Sequence, residues 1–120
     1  MVLASDSAGG DLAKDDVLLD VERLRSSATA YAGGTDLRQP ELSPVYADCS
    51  SLPPTHIEVG TGELLLSDST RLAARADAAG VDVTSHVLED LLHVFQIFSG
   101  APEAQESSNR IDDFPGRHLD

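Results

Sequence analysis

Apolar and polar positions along the chain change period several times, and each change marks an element. Residues 2–4 form a short apolar stub that runs into the small-residue stretch Ser5-Asp6-Ser7-Ala8-Gly9-Gly10 and then Asp11-Leu12-Ala13. This reads as a strand end, a tight turn and a helix start. From Leu18 the residues Val21, Leu24, Ala28 and Tyr31 recur at helical spacing, and Gly33-Gly34 supplies a stop, so a helix of about four turns is expected. Residues 35–54 carry Pro40, Pro44, Pro53 and Pro54 among Asp and Ser and read as an ordered connection. The β-branched run Thr55-His56-Ile57-Glu58-Val59-Gly60 predicts a buried strand with the polar loop Thr61-Gly62-Glu63 at its C-terminal end.

Leu65, Ser69, Leu72, Ala76 and Ala79 line one face of a second helix that ends at Gly80. Val81, Val83, Ser85 and Val87 alternate with Asp82, Thr84 and His86, which predicts a second strand with one more polar face. His93 follows a turn at residues 89–92, and a last helix is expected to start near Pro102 and end by Pro115. Strand, helix, strand, helix is the grammar of an α/β layered fold with parallel strands. No internal repeat or low-complexity tract interrupts it.

Length and composition narrow the class. At 120 residues the chain suits one domain, 1–120, able to bury roughly two thirds of its unfolded surface. With 41% hydrophobic and 24% charged residues it has the balance of an ordinary soluble protein. Its 21 acidic and 8 basic residues give a net charge of -13, which repels phosphate backbones and anionic lipid headgroups. Nucleic acid and membrane-surface partners are therefore not expected. Cys49 is alone, so an intrachain disulfide is excluded. No stretch approaches the ~18 apolar residues of a membrane span, and the start shows no basic segment followed by a long apolar one. A cytoplasmic protein is the expectation.

The candidate chemistry lies in loops at strand ends. A serine flanked by small residues at a strand-to-helix turn is the setting of the nucleophile elbow, Gly-x-Ser-x-Gly, where close approach of strand and helix demands small neighbours. Here the five residues are Ser5-Asp6-Ser7-Ala8-Gly9, with serine in place of the first glycine. Alone, the stretch also fits a serine-glycine turn without a catalytic role. Glu63 after one strand and His93 after the next complete the chain order Ser, acid, His of α/β-hydrolases. Glu63 also fits an exposed acid near a helix start, favourable to its dipole, and Asp68 is the reserve candidate for the acid. His56, His86 and His118 are expected at the surface, and no pair of them stands at metal-ligand spacing with a carboxylate, so no metal is expected.

Several stretches together carry a family resemblance. The segment from Val2 to Ala13 is similar to the elbow of the hormone-sensitive-lipase family of esterases, usually written GDSAGGNLA. Ser43-Pro44-Val45-Tyr46-Ala47-Asp48, Leu52-Pro53-Pro54-Thr55, Val59-Gly60 with Glu63-Leu64-Leu65-Leu66, Ala79-Gly80-Val81-Asp82-Val83, and His93-Val94-Phe95-Gln96 resemble that family in order. The resemblance implies an α/β-hydrolase fold and hydrolysis of short-acyl carboxylic esters without a cofactor. It implies Ser7 as nucleophile, His93 as base, Glu63 as the acid that orients it, and the backbone N–H of Ala8 as an oxyanion donor.

Against the family pattern, the chain lacks the N-terminal strands and the His-Gly-Gly-Gly loop that builds most of the oxyanion hole. Only Lys14 separates Ala13 from the segment beginning at Asp15, where the family has further helix and another strand. The expected fold is thus an incomplete α/β-hydrolase fold, a small mostly parallel sheet of about three strands flanked by helices. Strands sit ~4.8 Å apart, whereas catalytic geometry tolerates about 0.5 Å. The chain alone is therefore expected to hydrolyse esters weakly or not at all, and to be marginally stable unless a complementary chain or a second copy covers it. The competing expectation is a non-catalytic remnant or interaction module.

Overall fold

The computed structural model describes residues 18–119. The stub at residues 2–4, the Ser7 turn and the junction around Lys14 lie outside them. Helix α1, Val21–Ala32, starts three residues later than the apolar pattern suggests because Asp20 caps it, its carboxylate accepting the Arg23 N–H at 2.9 Å. Gly33 ends α1 in the left-handed conformation, φ 57°, donating its N–H to the Thr29 carbonyl. Ala28 and Ala32 form the buried edge, and Tyr31 stands 69% exposed. The covered stripe thus steps by four from Ala28 to Ala32, not by three to Tyr31.

Residues 35–54 form the expected connection, with short 3-10 turns at Pro44–Tyr46 and Cys49–Ser51. Ser43, fully buried, donates its hydroxyl to the Leu37 carbonyl at 2.7 Å, and Val45 is buried beside it in sequence. Strand β1, Thr55–Gly60, then pairs in parallel with β2, Val83–Leu88, in the register Thr55 to Val83 through Gly60 to Leu88. Two strands are present among the described residues. Between them runs α2, Leu66–Ala78, and Gly80 at φ 83° turns the chain back. Val81 lies ahead of β2 and is buried with Cys49 and Ala76, against which Leu72 and Val83 pack.

The last helix, α3, Pro102–His118, begins at a proline in its first turn as expected, and continues past Pro115. A proline this near the C-terminus removes one bond of the last turn, and that turn still closes through the Leu119 N–H on the Pro115 carbonyl at 2.8 Å. Register partners in a parallel pair share a face, so the sheet has two unlike sides. Ile57, Val59 and Val83 face α2. His56, Glu58 and His86 face α3, where Phe114 packs against the His56 ring at 5.3 Å.

This arrangement corrects the expectation for the histidines. The His56 side chain is only 10% exposed, and that of His118 is 21% exposed with its ring 4.5 Å from Phe114. His86 is half-buried, 5.5 Å from His56. The polar side of a strand faces water only when nothing covers it, and here α3 does.

Candidate active site

Two loops meet at the C-terminal ends of β1 and β2. Thr61 donates its N–H to the Leu88 carbonyl at 2.9 Å, Gly62 to the Leu91 carbonyl at 3.2 Å, and the Asp90 N–H bonds to the Thr61 hydroxyl at 2.9 Å. These three bonds lace the loop after one strand to the loop after the other. Gly60 makes the approach feasible: a Cβ built on it would stand 1.9 Å from the Leu91 carbonyl oxygen, so any side chain would push the loops apart.

Glu63 and His93 project from these laced loops. Glu63 is 5% exposed, and its carboxylate accepts the Gly60 N–H at 3.2 Å through Oε2. Its other oxygen, Oε1, lies 3.3 Å from Nδ1 of His93. The imidazole in its Nδ1–H tautomer donates to that carboxylate, which leaves Nε2 as the nitrogen for proton exchange with a nucleophile. Glu63 is thus not an exposed helix-start acid. Asp68, the reserve acid, is buried on α2 with Arg71 at 3.8 Å, and the carboxylate beside His93 is that of Glu63. Ser7 and Ala8 lie outside the described residues.

Below this pair, the side of β1 turned toward α3 carries a second polar cluster that sequence reasoning missed. The Glu58 side chain is 3% exposed; its Oε1 accepts from Nε of Arg110 at 2.7 Å and stands 3.0 Å from Nε2 of His56. Its Oε2 accepts from the Ser107 hydroxyl and, at 3.5 Å, from the Gln96 amide. Burial pushes the Glu58 carboxyl up, but the hydrogen bonds from Arg110, Ser107 and His56 and the Arg110 charge outweigh it, holding it at about 2. The sequence held one signal: an acid set between Ile57 and Val59 in a β-branched strand, with Ser107 and Arg110 three apart on a later helix.

Among the described residues no three His, Cys, Asp or Glu side chains are grouped to hold a metal ion, and no helix is long and apolar enough to cross a membrane.

The fold has known counterparts. A family model for the alpha/beta hydrolase fold matches residues 3–97. An acetyl-hydrolase of Streptomyces hygroscopicus is 40% identical over 80 residues, covering 67% of this chain and 27% of its own length. An esterase of Acinetobacter venetianus is 36% identical over 105 residues, 84% of this chain and 34% of that protein. A hormone-sensitive lipase from a metagenome library superposes with a TM-score of 0.89 at 41% identity, over 98% of this chain and 40% of that structure. An esterase from the bacterial hormone-sensitive lipase family gives 0.90 at 37% identity, over 100% and 40%. The chain belongs to the α/β-hydrolase-fold family, in its hormone-sensitive-lipase branch of esterases. It spans only about a third or less of those two curated relatives' length.

Proposed function

We propose that this chain carries the nucleophile, acid and base of a serine carboxylic ester hydrolase, with Ser7, Glu63 and His93 as the triad. In this reading the Ser7 hydroxyl attacks the ester carbonyl while His93 takes its proton on Nε2. The negative oxygen formed is met by the Ala8 N–H. Collapse expels the alcohol, which receives the proton back from His93, and leaves an acyl group on Ser7. Water, deprotonated by the same imidazole, then releases the acid and regenerates the serine. Glu63 stays ionised throughout, holds the imidazole in its Nδ1–H tautomer and stabilises the imidazolium. The sequence needs no cofactor, since water is the only co-reactant.

The observation that carries this reading is the contact of Glu63 with Nδ1 of His93, a buried carboxylate oriented by a backbone amide and set against an imidazole from another loop. The relatives' names, acetyl-hydrolase and esterase, support short-acyl carboxylic esters as the substrate class. The test is covalent labelling by a fluorophosphonate. Reaction at Ser7 that disappears in Ser7→Ala and falls by about a thousandfold or more in His93→Ala is the expected result.

The chain's short span of its relatives favours one second reading, a non-catalytic module that docks on a complementary chain or a second copy. A folded sample that stays unlabelled, and associates with such a partner in sedimentation, would establish that reading instead.

A further inference from the structure

His93 stands within the segment that runs from the end of β2 to the start of α3, and its aim depends on how both ends of that segment are held. The upstream end is fixed by the lacing to the β1 loop. Downstream, Val94 adopts a left-handed backbone, φ 48°, which a β-branched residue rarely takes and which persists only where its surroundings enforce it. The turns that follow are tight: Ile97 bonds to Val94, Phe98 to Phe95 and Ala101 to Phe98, each at 2.9 to 3.0 Å. Two side chains fasten this run to the body of the protein. Phe95, 5% exposed, is the apolar one. Gln96 is the polar one, its amide reaching the same Glu58 oxygen that takes the Ser107 hydroxyl of α3.

We infer that Glu58 is a positioning residue for His93: by accepting from Gln96 while Arg110 and Ser107 fix its carboxylate, it holds the strained turn that aims the imidazole at Glu63. The inference rests on the reading of His93 as the base. Among the described residues Glu58 bonds to His56, Gln96, Ser107 and Arg110 and not to Glu63 or His93; it acts on the turn after His93, and α3 serves as the clamp that keeps the Glu58 carboxylate in one place. This gives the buried acid of β1 a role beyond fastening a helix to a sheet.

The imidazole 15N spectrum of the full chain provides a test independent of turnover, because an imidazole held by Glu63 shows the Nδ1–H tautomer and a released one reverts to the mixture found in water. The wild-type chain is expected to show the held signature for His93, and Glu63→Gln to weaken it. Gln96→Ala should lose the signature and slow fluorophosphonate labelling about tenfold, with an unchanged circular dichroism spectrum. Gln96→Lys, which restores a donor to Glu58, should regain both. A Gln96→Ala chain with the wild-type 15N spectrum, a Gln96→Lys chain no better than the alanine variant, or a wild-type chain without the signature would each overturn the inference. Loss of labelling in the wild type with the 15N pattern as expected would instead sink the hydrolase reading and leave the positioning role standing.

Discussion

Gly60 shows how much of the site hangs on a missing side chain. Its backbone conformation is not left-handed, so conformational freedom is not the reason for glycine; the reason is the Leu91 carbonyl, where a methyl group would overlap at 1.9 Å. Because the obstacle is backbone, relief requires moving the whole loop that leads to His93. Gly60→Ala is expected to cost about 2 kcal/mol or more in urea unfolding. It should also cut labelling at Ser7 roughly a hundredfold, since catalysis loses about that much for a displacement near 1 Å. Wild-type labelling in this variant would show that the loops adjust independently of the pair. Gly60's contact could not be read in the sequence, because it arises where segments about thirty residues apart meet, and no local residue pattern marks Val94 for a left-handed turn.

Among the elements, α3 departs most from what its pattern suggests. Its start near Pro102 is plain in the sequence, as are the strand at 55–60 and the helix stopped before Gly80, since each rests on local periodicity or a local stop, whereas its end runs past Pro115 to His118. What α3 covers is not local. His56 and His86 were expected at the surface, and tertiary packing instead placed Arg110, Ser107 and Phe114 over the side of the sheet that carries His56, Glu58 and His86. Fastening a helix through a buried carboxylate makes stability depend on pH in a definite direction. The carboxyl of Glu58 lies lower in the folded chain, about 2, than its ordinary 4.5, so its contribution is complete above 4.5 and lost as pH falls toward 2. Urea midpoints of the wild type and of Glu58→Gln should therefore be far apart at pH 7 and converge near pH 2. Parallel curves across that range would mean that the acid sensitivity belongs to other carboxylates.

For the whole molecule, the two-sided arrangement of α2 and α3 about β1 and β2 is the part of an α/β layered fold that local patterns foretell, and the described residues contain it. The meeting of Glu63 with His93 was foreseeable only from their order along the chain and from family resemblance. No periodicity indicates that a loop after one strand touches the loop after the next. Coverage is where the sequence said least. Leu18, Tyr31, Val87, Ile97 and Phe98 remain exposed to 40% or more, on several different elements, and a stripe of apolar residues does not announce which of its members will find a neighbour. Removal of α3 tests how far the remaining layer sustains itself. A chain ending at Gly100 strips Glu58 of both Arg110 and Ser107 and opens to water the side of the sheet that α3 covers, and is expected to lose cooperative thermal unfolding because so small a remaining layer buries too little surface to hold together. A sharp melt in that shortened chain would show that β1, β2 and α2 stand alone.

The separation of fifty-two positions from Glu58 to Arg110 also sets an order of events during synthesis. A chain emerging from the ribosome presents Glu63, and then His93, while the cation that neutralises Glu58 is still to be added. Every residue of the proposed chemistry is thus translated before the clamp that steadies it. A premature stop shortly after His93 would yield a polypeptide that carries the proposed reacting groups but lacks the helix that covers and neutralises Glu58, a product more fit for degradation than for hydrolysing esters.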